Sequence, residues 1–224
     1  MTDGAPLRAR WLGKVPYQEA WALQRALHAR SGDDYLLLLE HPHVYTLGRT
    51  AKAEHVLVPP ATVGATLEEV DRGGDVTYHG PGQLVGYPIL DLTGYKPDLH
   101  WYLRHLEQAL IDALAFLGIP AERNPGFTGV WTRGRKIASI GIHVKQWVTW
   151  HGFALNVTTD LAHFERIVPC GIPGVVMTSV ERESGAGSGE RALWHEAVAA
   201  VIRGFVGAFR VEVRVMEPAL HFPP

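Results

Sequence analysis

The chain has 224 residues and 46% hydrophobic content, which suits a single globular domain over residues 1–224. Its formal charge of −2 and the lack of a basic stripe argue against partners such as nucleic acid or an anionic membrane. No apolar run reaches the roughly 18 residues of a membrane-spanning helix, and no secretory signal pattern is visible. The single cysteine excludes an internal disulfide, so we expect a cytoplasmic protein.

In the first half of the chain, the pattern predicts one helix followed by short strands. Pro16 can open a helix over Tyr17–Arg30, in which the apolar residues recur at helical spacing. Buried or β-rich runs then predict strands at Tyr35–Leu39, Val44–Leu47 and Gln83–Leu92, with a short β-like run at Asp75–Tyr78.

The second half begins with the clearest helix, Leu99–Leu117, in which leucines step by three and four residues. Asp98 is its predicted N-cap and Gly118 its stop. Because strands and helices come in groups, the pattern favours an α+β fold with a mixed, mainly antiparallel sheet flanked by helices. The remaining predicted elements are a hairpin of Lys136–Val144 and Val148–Val157, a loop at Ser184–Gly189, a helix at Arg191–Arg210 and a strand at Val211–Val215.

Cys170 is the first candidate for chemistry, because it lies between two prolines and two glycines in Val168–Gly174. That composition predicts a shaped loop, in which a thiol can face a cleft and glycine lets a substrate approach the backbone. The alternative is a small buried apolar residue, the usual fate of a free cysteine. A nucleophilic thiol needs a partner that makes it a thiolate near neutral pH.

Lys136 is the candidate partner. Strict alternation would place Lys136 on the same face as Ala138, Ile140 and Ile142, with Ser139 on the other face. A lysine on that apolar side can extend its ammonium to water at the strand end. Alternatively, it is partly desolvated and exchanges a proton with a nearby thiol.

Two further segments are candidates for the walls of a cleft. The segment Arg72–Gln83 is rich in glycine, whose backbone N–H groups can approach a carbonyl oxygen, and it lacks the ending of a nucleotide-binding P-loop. Within it, His79 can polarise a thioester or play a structural part. The triplets Ser139–Gly141 and Gly152–Ala154 face each other across the predicted hairpin and leave room for an apolar chain, or for close helix packing.

A metal site is a weaker alternative. The pair His41 and His43 is separated by one proline and has no third ligand nearby in the sequence, which argues against zinc.

Several motifs together resemble the lipoyl(octanoyl) transferase family. They cover most of the chain: Glu40–Pro42, Tyr45–Arg49, Arg72–Gly74, Thr77–Gln83, Arg135–Gly141, His151–Asn156 and Pro169–Ile172.

The resemblance implies the fold of the biotin and lipoate protein ligases, with Cys170 as acyl-thioester nucleophile and Lys136 as its partner. It implies octanoyl-acyl carrier protein as donor, and lipoyl domains of 2-oxoacid dehydrogenase E2 subunits and the glycine cleavage H protein as acceptors, without a metal or nucleotide cofactor. The implied substrate-binding residues are Arg72, Gly73, Gly74, Asp75, Val76, Thr77, Tyr78, His79, Ser139, Ile140, Gly141, Gly152, Phe153 and Ala154.

Two rival functions remain open on the sequence. An ATP-dependent ligase of the same fold would need a nucleotide and no cysteine nucleophile, and an acyl-binding module would form no covalent adduct. If the carrier protein is acidic, a basic dock is expected, and the candidates near the site are Arg49, Lys52, Arg133 and Arg135.

Overall fold

The computed structural model describes residues 6–29, 32–185 and 190–216. Four α-helices lie within these ranges: α1 (Tyr17–His28), α2 (Leu99–Phe116), α3 (Val180–Ser184) and α4 (Glu190–Phe209). The strands in chain order are β1 (Leu7–Lys14), β2 (Tyr35–Glu40), β3 (Val44–Leu47), β4 (Thr66–Glu69), β5 (Val76–His79), β6 (Gln83–Ile89), β7 (Glu122–Asn124), β8 (Phe127–Thr132), β9 (Arg135–Lys145), β10 (Val148–Asn156) and β11 (Val213–Val215).

Eight strands form one sheet in the order β11-β1-β2-β6-β10-β9-β8-β7, and β4-β3-β5 form a second, smaller sheet. β1 is parallel to both of its neighbours and β3 is parallel to β4, whereas the other pairs are antiparallel. The prediction of a mixed, mainly antiparallel sheet flanked by helices is therefore confirmed.

Helices cover the two faces of the large sheet unequally. The largest core cluster joins α2 and α4 to one face, while α1 packs on the opposite face against β6 and β10. Gly204 of α4 lies so close to the carbonyl of Ala109 in α2 that a Cβ atom would clash with it. Among the described residues, Arg191–Phe209 is the one stretch with the length and composition of a membrane span, yet it packs on α2 within the core.

The predicted elements are present, with ends that shift by up to three residues. α1 ends at His28, and the predicted last residue, Arg30, lies outside the described residues. β6 ends at Ile89, because the chain then turns into a 3₁₀ segment at Leu92–Gly94. Of the predicted loop, residues 186–189 lie outside the described residues. The strands β1, β4, β7 and β8 were not predicted.

The predicted face of Lys136 is wrong, because β9 contains a β-bulge. The pairing with β8 shifts by one residue there, since Val130 pairs with Ala138 but Trp131 pairs with Lys136. Ile137 and Ala138 consequently both belong to the α2–α4 core. Lys136 thereby changes sides and joins Ser139 next to Cys170. The bulge re-aims one side chain from the core to a cavity.

Candidate active site

Cys170 lies in a tight turn between the two sheets. The turn Pro169–Gly171 has 3₁₀ character, but Cys170 itself adopts φ 56° and ψ 20°, and Gly171 follows with φ 67°. Two consecutive residues in the left-handed region turn the chain sharply, and the second of them is the glycine that tolerates it. A hydrogen bond to another segment stabilises the turn, because Val168 donates its N–H to the carbonyl of His55 at 2.8 Å.

The ammonium group of Lys136 is enclosed by protein and reaches the thiol. The residue is 1% exposed, and Nζ lies 3.4 Å from Sγ of Cys170 and 3.0 Å from the carbonyl oxygen of Thr128. It also lies 5.5 Å from the centre of the Trp131 ring. The distance to Sγ permits direct proton exchange between amine and thiol.

Gly129 makes room for the lysine side chain. Its φ of 126° suits glycine, and an added Cβ would lie 2.6 Å from the carbonyl oxygen of Ala138 and 2.8 Å from Cε of Lys136. On the other side of the thiol, the hydroxyl of Ser139 lies 3.8 Å from Sγ. The thiol therefore sits between an amine and a hydroxyl, both carried by β9.

A cavity of about 490 Å³ opens at the thiol. Most of the predicted substrate-binding residues line it, but Val76 and Tyr78 do not, because they point to the other side of β5 and pack in a separate core cluster. The predicted residues in the wall are Arg72, Gly73, Gly74, Asp75, Thr77, His79, Ser139, Ile140, Gly141, Gly152, Phe153 and Ala154.

Arg72 is a buried cation in this wall. Its guanidinium donates to the hydroxyl and carbonyl oxygens of Thr46 and to the carbonyl of Gly73. Burial lowers the pKa of Arg72, and neighbouring groups that include Cys170 and Asp75 act in the opposite direction. The N–H of Gly73 donates to the carbonyl of Ile142 at 2.9 Å. Because this N–H is already engaged, Gly73 is a poor candidate for a backbone donor to an oxyanion in the cavity.

Aromatic side chains are part of the cavity wall on the side of α1 and β6. Ser139 of β9 pairs with Ala154 of β10, and Ala154 pairs with Val85 of β6, two residues before Tyr87. Two strand spacings amount to about 10 Å, which is close to the length of an extended octanoyl chain. Tyr17 of α1 and Tyr87 both line this part of the wall.

Tyr17 is held by a hydrogen-bonded chain that runs through His151 to Asp71. Burial lowers the pKa of His151, so its ring is neutral near pH 7. Nε2–H then donates to the Asp71 carboxylate at 2.7 Å, and Nδ1 accepts from the Tyr17 hydroxyl at 3.4 Å. Burial acts to raise the pKa of Asp71, but hydrogen bonds from His151 and Trp150 lower it to about 2, together with the positive charges that His151 and His143 carry at acid pH.

Two other histidines near the cavity are also neutral. Burial is the main cause that lowers the pKa of His79 well below its ordinary value, and burial lowers that of His41 to about 4. His79 bonds to Gln83 at 2.8 Å, and His41 uses both ring nitrogens, on the carbonyl of Val15 and the hydroxyl of Tyr87.

The structure adds little support for a metal site. No group of three His, Cys, Asp or Glu side chains within residues 6–29, 32–185 and 190–216 could hold a metal ion. His43 bonds instead to the hydroxyl of Tyr78 at 2.8 Å.

The four basic residues considered for a dock differ in their surroundings. Arg133 and Arg135 both pair with Glu183, at 3.3 and 2.9 Å, so their charges are partly neutralised within the chain. Arg49 and Lys52 are exposed.

Several residues of the site escaped the sequence analysis. The carbonyl of Thr128 has no signal in a sequence, because any residue type supplies one. Tyr17, Tyr87 and His151 reach the cavity from α1, β6 and β10 only once the sheet is assembled. The neighbouring Pro16 marked the start of α1, but nothing in the pattern indicated which α1 side chain faces the cleft.

Comparison with known proteins identifies the relatives of this chain. A model of the family described as "Lipoyl protein ligase A/B catalytic domain" matches residues 16–206. A protein named octanoyltransferase from Gloeobacter violaceus is 62% identical over 174 residues, which are 75% of this chain and 78% of that protein. An octanoyltransferase from Geobacter sulfurreducens is 53% identical over 201 residues, covering 88% and 82% of the two chains.

Solved structures resemble the chain in fold. A lipoate-protein ligase A bound with ATP superposes with a TM-score of 0.78 at 18% identity, over 95% of this chain and 90% of that one. The bipartite lipoate protein ligase of Thermoplasma acidophilum gives a TM-score of 0.71 at 18% identity, over 94% and 87%. These likenesses confirm the predicted ligase-like fold.

Proposed function

We propose a course for the reaction from the premise that this chain belongs to the Lipoyl protein ligase A/B catalytic domain family. The chain is 62% and 53% identical in sequence to two octanoyltransferases, so it is an acyltransferase that acts in protein lipoylation. One domain, 1–224, moves the octanoyl or lipoyl group in two half-reactions by way of a thioester on Cys170. The donor is octanoyl-acyl carrier protein, and the acceptor is a lysine of a lipoyl domain.

In the first half-reaction, the Cys170 thiolate attacks the donor thioester. The bond from the acyl carbon to Sγ forms, the bond to the carrier sulfur breaks, and Lys136 gives a proton to the departing carrier thiolate. The N–H of Cys170 stabilises the oxyanion, and one such donor is typically worth about 3 kcal/mol.

In the second half-reaction, the acceptor amine attacks the Cys170 thioester. The amide bond forms, Sγ leaves as a thiolate, and Lys136 recovers a proton from the attacking nitrogen. Since a thioester is converted to an amide, no ATP is needed. The acceptors include lipoyl domains of 2-oxoacid dehydrogenase E2 subunits and the glycine cleavage H protein, and the reaction takes place in the cytoplasm.

The observation that carries this proposal is the 3.4 Å approach of Lys136 Nζ to Cys170 Sγ in the wall of the cavity. When purified enzyme is incubated with octanoyl-carrier protein and no nucleotide, its intact mass is expected to rise by one octanoyl group. Addition of a lipoyl domain should return the enzyme to its original mass and octanoylate the domain.

Each rival function predicts a different mass result. An ATP-dependent ligase would modify the lipoyl domain only when ATP and free octanoate are supplied. A binding module would show neither an adduct nor a modified domain. Either result would refute the thioester route.

The aromatic part of the cavity wall leads to a prediction about chain length. Replacing Tyr17 with alanine removes a ring from this wall, and each methylene that becomes buried contributes about 0.8 kcal/mol. The ratio of kcat/KM for decanoyl over octanoyl donors is therefore expected to rise about tenfold. Tyr17→Phe keeps the ring and should leave the ratio unchanged. An unchanged ratio in the alanine variant would show that the acyl chain ends elsewhere.

A further inference from the structure

The second half-reaction leaves one proton without an acceptor. A lysine side chain is an ammonium near neutral pH, with an unperturbed pKa of about 10.4. It loses two protons on the way to an amide, one before the nitrogen can attack and one afterwards. Lys136 can take only one of these two protons, because it became a neutral amine when it gave one proton to the departing carrier thiolate. In the proposed course it takes the later proton, from the attacking nitrogen. The earlier proton needs a second base in the cavity.

The charged residues of the cavity wall indicate which group can act as this second base. Among the described residues that line the cavity, Asp75 is the one carboxylate, whereas Arg72 and Lys136 are potential cations. An entering ammonium is repelled by the guanidinium and attracted by the carboxylate. His79 and His151 also line the wall, but they are neutral and offer no such attraction.

The Asp75 carboxylate is placed beside the nucleophile. A Cβ atom added to Gly171, the residue after Cys170, would lie 2.7 Å from Oδ2 of Asp75. The carboxylate therefore lies against the turn that carries the thiol. This contact also gives a reason for glycine at position 171 beyond its positive φ.

Two hydrogen bonds fix the carboxylate in that position. Oδ2 accepts from Nδ1–H of His55 at 2.7 Å, and Oδ1 accepts from the backbone N–H of Val76 at 2.6 Å. The side chain of His55 is 18% exposed and that of Asp75 is 10% exposed, so the pair leads from the cavity towards solvent.

We propose that Asp75 receives the ε-ammonium of the acceptor lysine and takes its first proton before the amine attacks the Cys170 thioester. This rests on the proposed function and assigns the amine site within it. Removal from water disfavours the charged forms, so the pair of ammonium and carboxylate and the pair of amine and carboxylic acid come closer in free energy. The carboxylic acid then releases the proton to solvent, and His55 is a positioning residue.

The test separates the two half-reactions in Asp75→Asn. The rate at which octanoyl-carrier protein acylates Cys170, followed by intact mass, is expected to stay within about threefold of wild type. Retention of this rate would also show that the site is folded. Discharge of the isolated acyl-enzyme to a lipoyl domain should fall at least about 100-fold. That rate should recover with rising pH, since more of the acceptor lysine is then neutral. The other ionisable groups near Asp75 that can contribute to this pH dependence are His55, Arg72 and Cys170.

Hydroxylamine distinguishes a proton-accepting role from a structural one, because it is a neutral nucleophile near pH 7. It should discharge the acyl-enzyme of Asp75→Asn at about the wild-type rate, and Asp91→Asn, which caps a distant turn, serves as matched control. If the Asp75→Asn variant loses the same factor in the rate of discharge by hydroxylamine and by the lipoyl-domain lysine, Asp75 has only a structural role. If its rate of discharge by the lysine is unchanged, the base is another group. Failure of wild type to form any adduct would instead overturn the proposed function.

Discussion

Octanoyl transfer is expected to fall to the uncatalysed background when Cys170 is replaced by alanine. Removal of the attacking atom leaves no route to the thioester, and a loss of at least about 1,000-fold is typical when a covalent nucleophile is deleted. The mass increase of one octanoyl group should disappear at the same time. Both can be measured in one reaction, by following the masses of enzyme and lipoyl domain.

Ser139→Ala is the matched control for this variant. Its hydroxyl lies 3.8 Å from Sγ, so the substitution perturbs the same surroundings without removing the thiol. We expect an acyl adduct to form in this variant. Should the Cys170 variant transfer octanoyl groups at the wild-type rate, the thioester route is wrong and a direct attack by the acceptor amine must be considered.

Replacing Lys136 with methionine is expected to slow transfer by about 100-fold or more, because a positioned acid–base group contributes that much. The substitution is also expected to lower stability by about 1–3 kcal/mol, because the carbonyl of Thr128 loses its hydrogen-bond donor in a partly buried position. Steady-state kinetics and the melting temperature of the same preparation test both expectations.

Lys136→Arg separates proton transfer from charge. A guanidinium keeps the positive charge but does not release a proton in the accessible range of pH. If proton exchange is what matters, this variant should be nearly as slow as the methionine variant. Recovery of most activity by arginine would instead indicate that the charge alone stabilises the thiolate.

Much of the fold was predictable, because the helices and the central strands have strong local patterns. The leucine spacing of α2 and the length of the hairpin β9–β10 needed no knowledge of distant contacts. β1 also has a signal that the prediction overlooked: Leu7, Ala9 and Trp11 alternate with Arg8 and Arg10, and the apolar set is buried.

The site was less predictable for reasons that lie in tertiary structure. The bulge at Ile137 depends on how β8 pairs with β9, and strict alternation therefore assigned Lys136 to the wrong face. Likewise, Asp75 and His55 are 20 residues apart, and their contact exists only because the segment around His55 lies along the strand-like run before Cys170. The motifs named the right segments but not the direction of each side chain.

At position 170, the residue that would best stabilise the backbone differs from the residue that the reaction requires. A side chain other than glycine in the left-handed region costs about 1 kcal/mol or more, and with φ 56° the cysteine carries that cost. Glycine there would relieve the backbone while deleting the sulfur. Mutational drift at this position is therefore opposed by selection on catalysis and not by selection on folding. A descendant that had lost its transferase role would be expected to exchange the cysteine early while keeping the shape of the turn.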